Sequence, residues 1–192
     1  MKQNILLTLL LVLSFNLDAQ DSKFSIEANY PTPIDDNFVG EAVGIIDLGL
    51  KYKFATIDFV SVGASFNAGV LIDNSNQNEG ALDFLRTIFV IQPKVFVELN
   101  IQNLEKLRPF VGVGYTFLNF KISGTLNSED VSGRTENLNG FGLNLGLAYD
   151  ISNKVFVQIQ YDFTKVSVDN DVPDIPFNTN VNLLKVGVGL KL

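Results

Sequence analysis

Apolar and polar residues alternate along most of this chain with a period of two, most regularly over Phe141 to Phe163. There Phe141, Leu143, Leu145, Leu147 and Tyr149 share one face, and Gly142, Asn144, Gly146, Ala148 and Asp150 share the other, as a strand's side-chain geometry requires. After a short turn at Asp150 to Asn153 the pattern resumes, with Val155, Val157, Ile159, Tyr161 and Phe163 set against Gln158, Gln160 and Asp162. A half-buried strand of a soluble protein usually carries Lys, Glu and Thr on its outer face. Here the second face of the first strand is mostly Gly, Asn and Ala, which predicts an apolar exterior and a tight, polar interior.

The same alternation predicts six further strands. Lys23 to Tyr30 places Phe24, Ile26, Ala28 and Tyr30 on one face and stops at the breaker Pro31. Gly44 to Phe54 opposes Ile46, Leu48, Leu50, Tyr52 and Phe54 to Asp47, Gly49, Lys51 and Lys53. Phe59 to Ile72, Thr87 to Leu99, Arg108 to Lys121 and a last strand ending in Leu184, Val186, Val188, Leu190 and Leu192 follow the same rule. The connections alternate long and short. The long polar ones, after Tyr30 and over Asp73 to Phe84, Ile122 to Asn139 and Asp169 to Asn180, all fall at one end, with the termini at the other. Pro93 lies within the fourth strand and cannot donate to a ladder, so a bulge or a missing bond is expected there.

None of the apolar-face residues is charged, whereas the opposite face carries Glu27, Asp47, Lys51, Lys53, Lys94, Glu98, Asp150, Asp162, Lys185 and Lys191. Strands with a wholly apolar outside suit hydrocarbon, where an unpaired backbone group costs several kcal/mol and only closure removes sheet edges. The expected fold class is all-β: an eight-stranded antiparallel up-and-down transmembrane β-barrel. Residues 20–192 form it. Residues 1–19 read as a cleaved signal peptide, with Lys2, an apolar run from Ile5 to Phe15 too short to span a bilayer, and a small residue, Ala19, before Gln20.

Composition narrows the chemistry. A formal net charge of -7 argues against a nucleic-acid partner, and the absence of cysteine excludes disulfides and thiolate metal sites. The absence of histidine excludes Ser/His/Asp nucleophile systems and imidazole metal sites. No catalytic, cofactor-binding or metal-binding residue is therefore assigned, and no cofactor is expected. The mixed charges inside read as a paired network, since buried charges need partners. Asp169, Asp171 and Asp174 could offer oxygens to a hard cation, but lack the glycine and distal glutamate of an EF-hand loop, and a solvated loop is the preferred reading. Together with Asp35, Asp36, Asp73, Glu79, Glu129, Asp130 and Glu136 they make one rim acidic, which would repel anions and could recruit divalent or basic partners.

RPFVGVGYTF at Arg108 to Phe117, FGLNLGLAYD at Phe141 to Asp150 and the terminal KVGVGLKL resemble the small outer-membrane barrels of the OmpA-transmembrane and OmpX-like group, in the form common in Bacteroidota. The resemblance implies a Gram-negative outer-membrane location, outer-membrane lipids and lipopolysaccharide as surroundings, and the barrel-assembly machinery during biogenesis. Barrel-form lipases, deacylases and palmitoyl transferases of that membrane use a histidine, so the resemblance implies no catalysis. With no tryptophan, Tyr30, Tyr52, Tyr115, Tyr149 and Tyr161 would have to form the interfacial girdles. Three functions follow for comparison. The first is a monomeric structural or surface-interaction barrel acting through four long loops, its extracellular partner unidentified. The second is a small ion or solute channel lined by Lys94 and Asp162, disfavoured because eight strands leave an interior that side chains such as Phe96, Phe110 and Phe156 can fill. The third is a soluble lipocalin-like periplasmic carrier, which needs the apolar face inside.

Overall fold

A computed structural model describes residues 23–77, 82–102, 104–126, 129–130, 132–168 and 171–192. The predicted signal peptide lies outside the described residues. The alternating segments form β1 (Phe24–Pro33), β2 (Val43–Ile57), β3 (Val60–Gln77), β4 (Leu82–Leu99), β5 (Leu107–Leu126), β6 (Arg134–Asp150), β7 (Val155–Ser167) and β8 (Asn180–Lys191). Each pairs antiparallel with its neighbours in the chain, and β8 pairs with β1, which closes the barrel. A two-residue segment, Glu129–Asp130, adds to the tip of β5, and one helical turn, Pro176–Thr179, precedes β8.

The stagger of the barrel follows from its register. Cross-strand partners run Phe24, Tyr52, Ala64, Val95, Val113, Leu143, Phe163, Asn182, and Asn182 O then accepts from the N–H of Ile34, ten residues beyond the start. Eight strands with such a stagger tilt by roughly 40° to the barrel axis.

The predicted apolar face is the exterior. Leu145 is 63% exposed and Leu50 55%, while Asp47, Asp162 and Lys185 on the opposite parity are 2% exposed or less. This is the reverse of a lipocalin, whose apolar side chains line the inside. All five tyrosines point outward, in two tiers. Tyr52, beside the Phe24 ring at 4.5 Å, and Tyr149 lie toward the short turns; Tyr30, Tyr115 and Tyr161 lie toward the long loops. The hydroxyls of Tyr115 and Tyr161 donate to Asn139 and Asn182 at 2.6 and 2.7 Å.

Strand ends differ from the sequence expectation in a consistent direction. β1 continues through the supposed breaker Pro31 to Pro33, because beyond Asn29 its ladder to β2 stops while its ladder to β8 continues to Leu183. The polar segment from Asp73 to Phe84, expected as a loop, instead extends β3 and β4 in unbroken register to Gln77 opposite Leu82. The segment from Ile122 to Asn139 likewise extends β5 and β6, paired from Leu107 opposite Tyr149 to Ile122 opposite Arg134. Backbone pairing needs no apolar side chain, so a hairpin outlasts its amphipathic signal. At Pro93 the β4–β5 ladder skips from Ile91–Phe117 to Lys94–Gly114 without a change of register, which is the missing-bond alternative. The two-residue turn between β2 and β3 places Asp58 at φ 51°, a left-handed conformation that Asp tolerates.

Candidate functional site

The barrel interior is layered. Near the short turns, the Arg108 guanidinium donates through Nη1 to both Glu98 oxygens at 2.9 Å and through Nη2 to Asp150 at 2.8 Å. Lys53 also pairs with Glu98, at 2.5 Å, and Lys191 with Asp150. Three cations thus share two carboxylates through charge-assisted contacts.

Above this cluster an aromatic tier crosses the lumen. Phe96, Phe110 and Phe156 are 2 to 3% exposed, and each stands directly opposite a glycine: Gly63, Gly146 and Gly189. A Cβ on any of these glycines would come within 2.1 to 2.5 Å of the facing ring. The glycines on the inner face are therefore the sockets of the rings. Lys51 Nζ lies 4.0 Å from the Phe110 ring centroid and pairs with Glu27 at 2.6 Å.

The middle of the lumen is centred on Lys185, which is 1% exposed. Its ammonium donates to Asp47 Oδ2 at 2.8 Å and to Gln92 Oε1 at 2.7 Å, and forms an ion pair with Asp162 Oδ2 at 2.9 Å. Asp47 Oδ1 accepts in addition from Asn29 and Asn67, and Asp162 Oδ1 from Gln160. Lys94 reaches Asp162 only to 3.8 Å, and neither its Nζ nor Asn144 Oδ1 has a hydrogen-bond partner among the described residues. The ammonium of Lys185 carries the network, and Lys94 is an adjunct to it.

Toward the long loops the inward parity turns apolar. Leu71, Ile88, Val90, Leu118, Phe120, Val166, Val181 and Leu183 form one cluster, completed by Val39 and Ala42 of the β1–β2 loop. Val39 is 1% exposed. Arg86 holds that loop down by donating to Phe38 O at 2.7 Å while pairing with Asp73 at 2.6 Å. Phe38 N–H donates to Phe177 O, and Asp35 accepts from Asn182. Among the described residues, ion pairs, aromatic rings and an apolar plug thus occupy the lumen from the short turns to the loop end.

Every charge expected inside is inside and paired. Asp73, expected at the rim, is instead 4% exposed and bound to Arg86, because β3 runs on past it. Asp36, Glu136, Asp171 and Asp174 are exposed, and Asp174 pairs with Lys165. Glu79 and Asp169 lie outside the described residues. No group of three or more acidic side chains close enough to hold a metal ion occurs among the described residues, so Asp171 and Asp174 are not joined in such a site. Arg108, Arg86 and the plug were missed from sequence. The signal was available, since carrying the inward parity two residues beyond Gly69, Gln92, Thr116, Thr164 and Lys185 lands on Leu71, Val90, Leu118, Val166 and Leu183.

A closed eight-stranded barrel with an apolar outside and a packed, ion-paired inside belongs to the class of small β-barrel membrane proteins. Within it, this chain belongs to the outer membrane protein beta-barrel domain family, whose profile matches residues 5–191. No curated protein matches the sequence. Among solved structures, the chain is similar to Neisserial surface protein A, with 17% identity, a TM-score of 0.60 and coverage of 89% of this chain and 98% of that one. It is also similar to Ail, the attachment invasion locus protein of Yersinia pestis, with 15% identity, a TM-score of 0.55 and coverage of 87% and 95%. The N-terminal barrel of Pseudomonas aeruginosa OprF matches at 14% identity and a TM-score of 0.52, over 87% of this chain and 95% of that one. At such identities the likeness is one of fold. The family points to the outer membrane as the location.

Proposed function

We propose that the protein is a monomeric, non-conducting and non-catalytic barrel of the outer membrane, delivered by a cleaved signal peptide, which exposes its long-loop end as an interaction surface. The reading rests on the interior: among the described residues the lumen is occupied by ion pairs, crossed by three phenylalanines and capped by Val39 and the apolar cluster around it, which favours a barrel that does not conduct. Outer-membrane lipids and lipopolysaccharide surround it in this reading, and the barrel-assembly machinery inserts it. Exposed acids at the loop end, among them Asp36, Glu136 and Asp171, suit a basic or divalent-bridged extracellular partner. The test is purified protein in planar bilayers, where a silent record is expected. Discrete conductance steps altered by Lys94→Gln or Asp162→Asn would establish a channel instead. Cell fractionation with a heat-modifiability gel checks location and closure together, and the mass of the mature chain checks removal of residues 1–19.

A further inference from the structure

The loop between β7 and β8 leans over the outside of the barrel. The carboxylate of Asp174 pairs with Lys165 at 3.5 Å. Lys165 lies on the outward parity of β7, directly opposite Phe141, which is itself opposite Tyr115 on β5. Val172, Pro173 and Asp174 face Tyr115, Phe141 and Lys165 across a cleft of about 850 Å³. The loop therefore overhangs the upper tier of aromatic side chains, at the edge of the apolar exterior. Its own turn is fixed by hydrogen bonds from Ile175 N–H and Asn178 Nδ2 to Pro173 O, and from Thr179 Oγ1 to Ile175 O.

The chemistry it displays there is unusual for a solvated loop. Val172 and Ile175 are 40% and 47% exposed, on a segment fixed by two prolines. Large apolar side chains exposed on a loop that overhangs an aromatic girdle match the way interfacial segments seat roughly 5–10 Å into the boundary of headgroups and acyl chains. We propose that Val172 and Ile175 form a foot in the outer leaflet, with the lipid surface as their partner, so that this loop braces the barrel in the membrane. The inference rests on the membrane reading above.

The chain has no tryptophan, so single substitutions make unambiguous reporters. Val172→Trp, Ile175→Trp, Leu145→Trp in the apolar wall and Asp36→Trp on the β1–β2 loop are each refolded into phosphatidylcholine vesicles and checked for closure by heat-modifiability. Lipids brominated near the headgroup or near the chain end then serve as quenchers. The two foot reporters are expected to emit to the blue of the Asp36→Trp reporter and to lose roughly half their emission to the shallow bromines. Leu145→Trp is expected to respond more strongly to the deep ones. Foot reporters that emit like Asp36→Trp and escape both quenchers, beside a quenched Leu145→Trp, overturn the foot alone. An unquenched Leu145→Trp overturns the membrane reading and the foot with it. Blue-shifted but unquenched foot reporters whose emission depends on protein concentration overturn lipid as the occupant in favour of a second copy.

Discussion

Two lysines share one interior carboxylate, and their surroundings give them opposite roles. Lys185 donates to Asp47 and Gln92 and pairs with Asp162, and its loss leaves both carboxylates buried without their main cation. Breaking a buried pair on one side costs about 3 to 5 kcal/mol, so Lys185→Met should lower stability by that much in urea unfolding from vesicles. Lys94 is also buried but its Nζ makes no hydrogen bond among the described residues, and Lys94→Met relieves its desolvation while Asp162 keeps Lys185. Its expected cost is at most about 1 kcal/mol. Equal costs for the two would refute the assignment of Lys185 as the centre of the network. The glycine sockets give a second expectation. Gly146→Ala puts a methyl 2.2 Å from the Phe110 ring and should destabilise by about 1 to 3 kcal/mol, an overpacking cost that Gly146→Ala combined with Phe110→Leu should largely remove in the same assay. From sequence these glycines read only as small residues on an inner face. That each was the partner of a phenylalanine required the register, which no single strand contains.

The strands themselves were legible where two faces differ and illegible where they do not. Alternation located all eight centres and the outward parity of every one, because a one-residue error would put charge into lipid. It ended β3 near Ile72, where polar residues take over both faces, and began β4 near Thr87, where apolar residues on both faces blur the alternation, although the ladder continues to Gln77 and Leu82. The loop end was misjudged for the same reason: Asp73 was placed by composition at a rim that its strand passes by. Pro93 shows the opposite case, in which a chemical rule located a defect correctly. Its side chain faces outward and its missing donor coincides with the skipped pairs between Ile91–Phe117 and Lys94–Gly114. Pro93→Val restores a donor without changing the exterior's character. It is expected to raise stability by about 0.5 to 1.5 kcal/mol, measured as a higher urea midpoint with an unchanged slope. A fall in the midpoint would mean that the gap relieves strain in the sheet.

The two aromatic tiers also set the thickness of membrane that the barrel fits. On β6, Phe141 in the upper tier and Tyr149 in the lower are eight residues apart, which is about 27 Å along a strand rising 3.4 Å per residue. The stagger that returns Phe24's row to Ile34 tilts the strands by roughly 40°, and the same interval then projects to only about 21 Å along the barrel axis. Sequence alone could supply the first length, since it needs only parity and count. The second depends on closure, because tilt is a property of eight strands joined edge to edge and cannot be assigned to any one of them. A band near 21 Å is well short of a typical 30 Å hydrocarbon core, and each ångström of mismatch costs a fraction of a kcal/mol. Refolding should therefore be faster and more complete in vesicles of short-chain phosphatidylcholine than in those of long-chain lipid, followed by the heat-modifiable gel shift. Leu145→Arg, between the tiers, should lower stability by about 2 to 4 kcal/mol in the thin bilayer, where Asn144→Ser on the inner parity has a mild effect. Folding yields that do not depend on chain length, or an equal penalty for the two substitutions, would mean that the wall between Phe141 and Tyr149 does not face hydrocarbon.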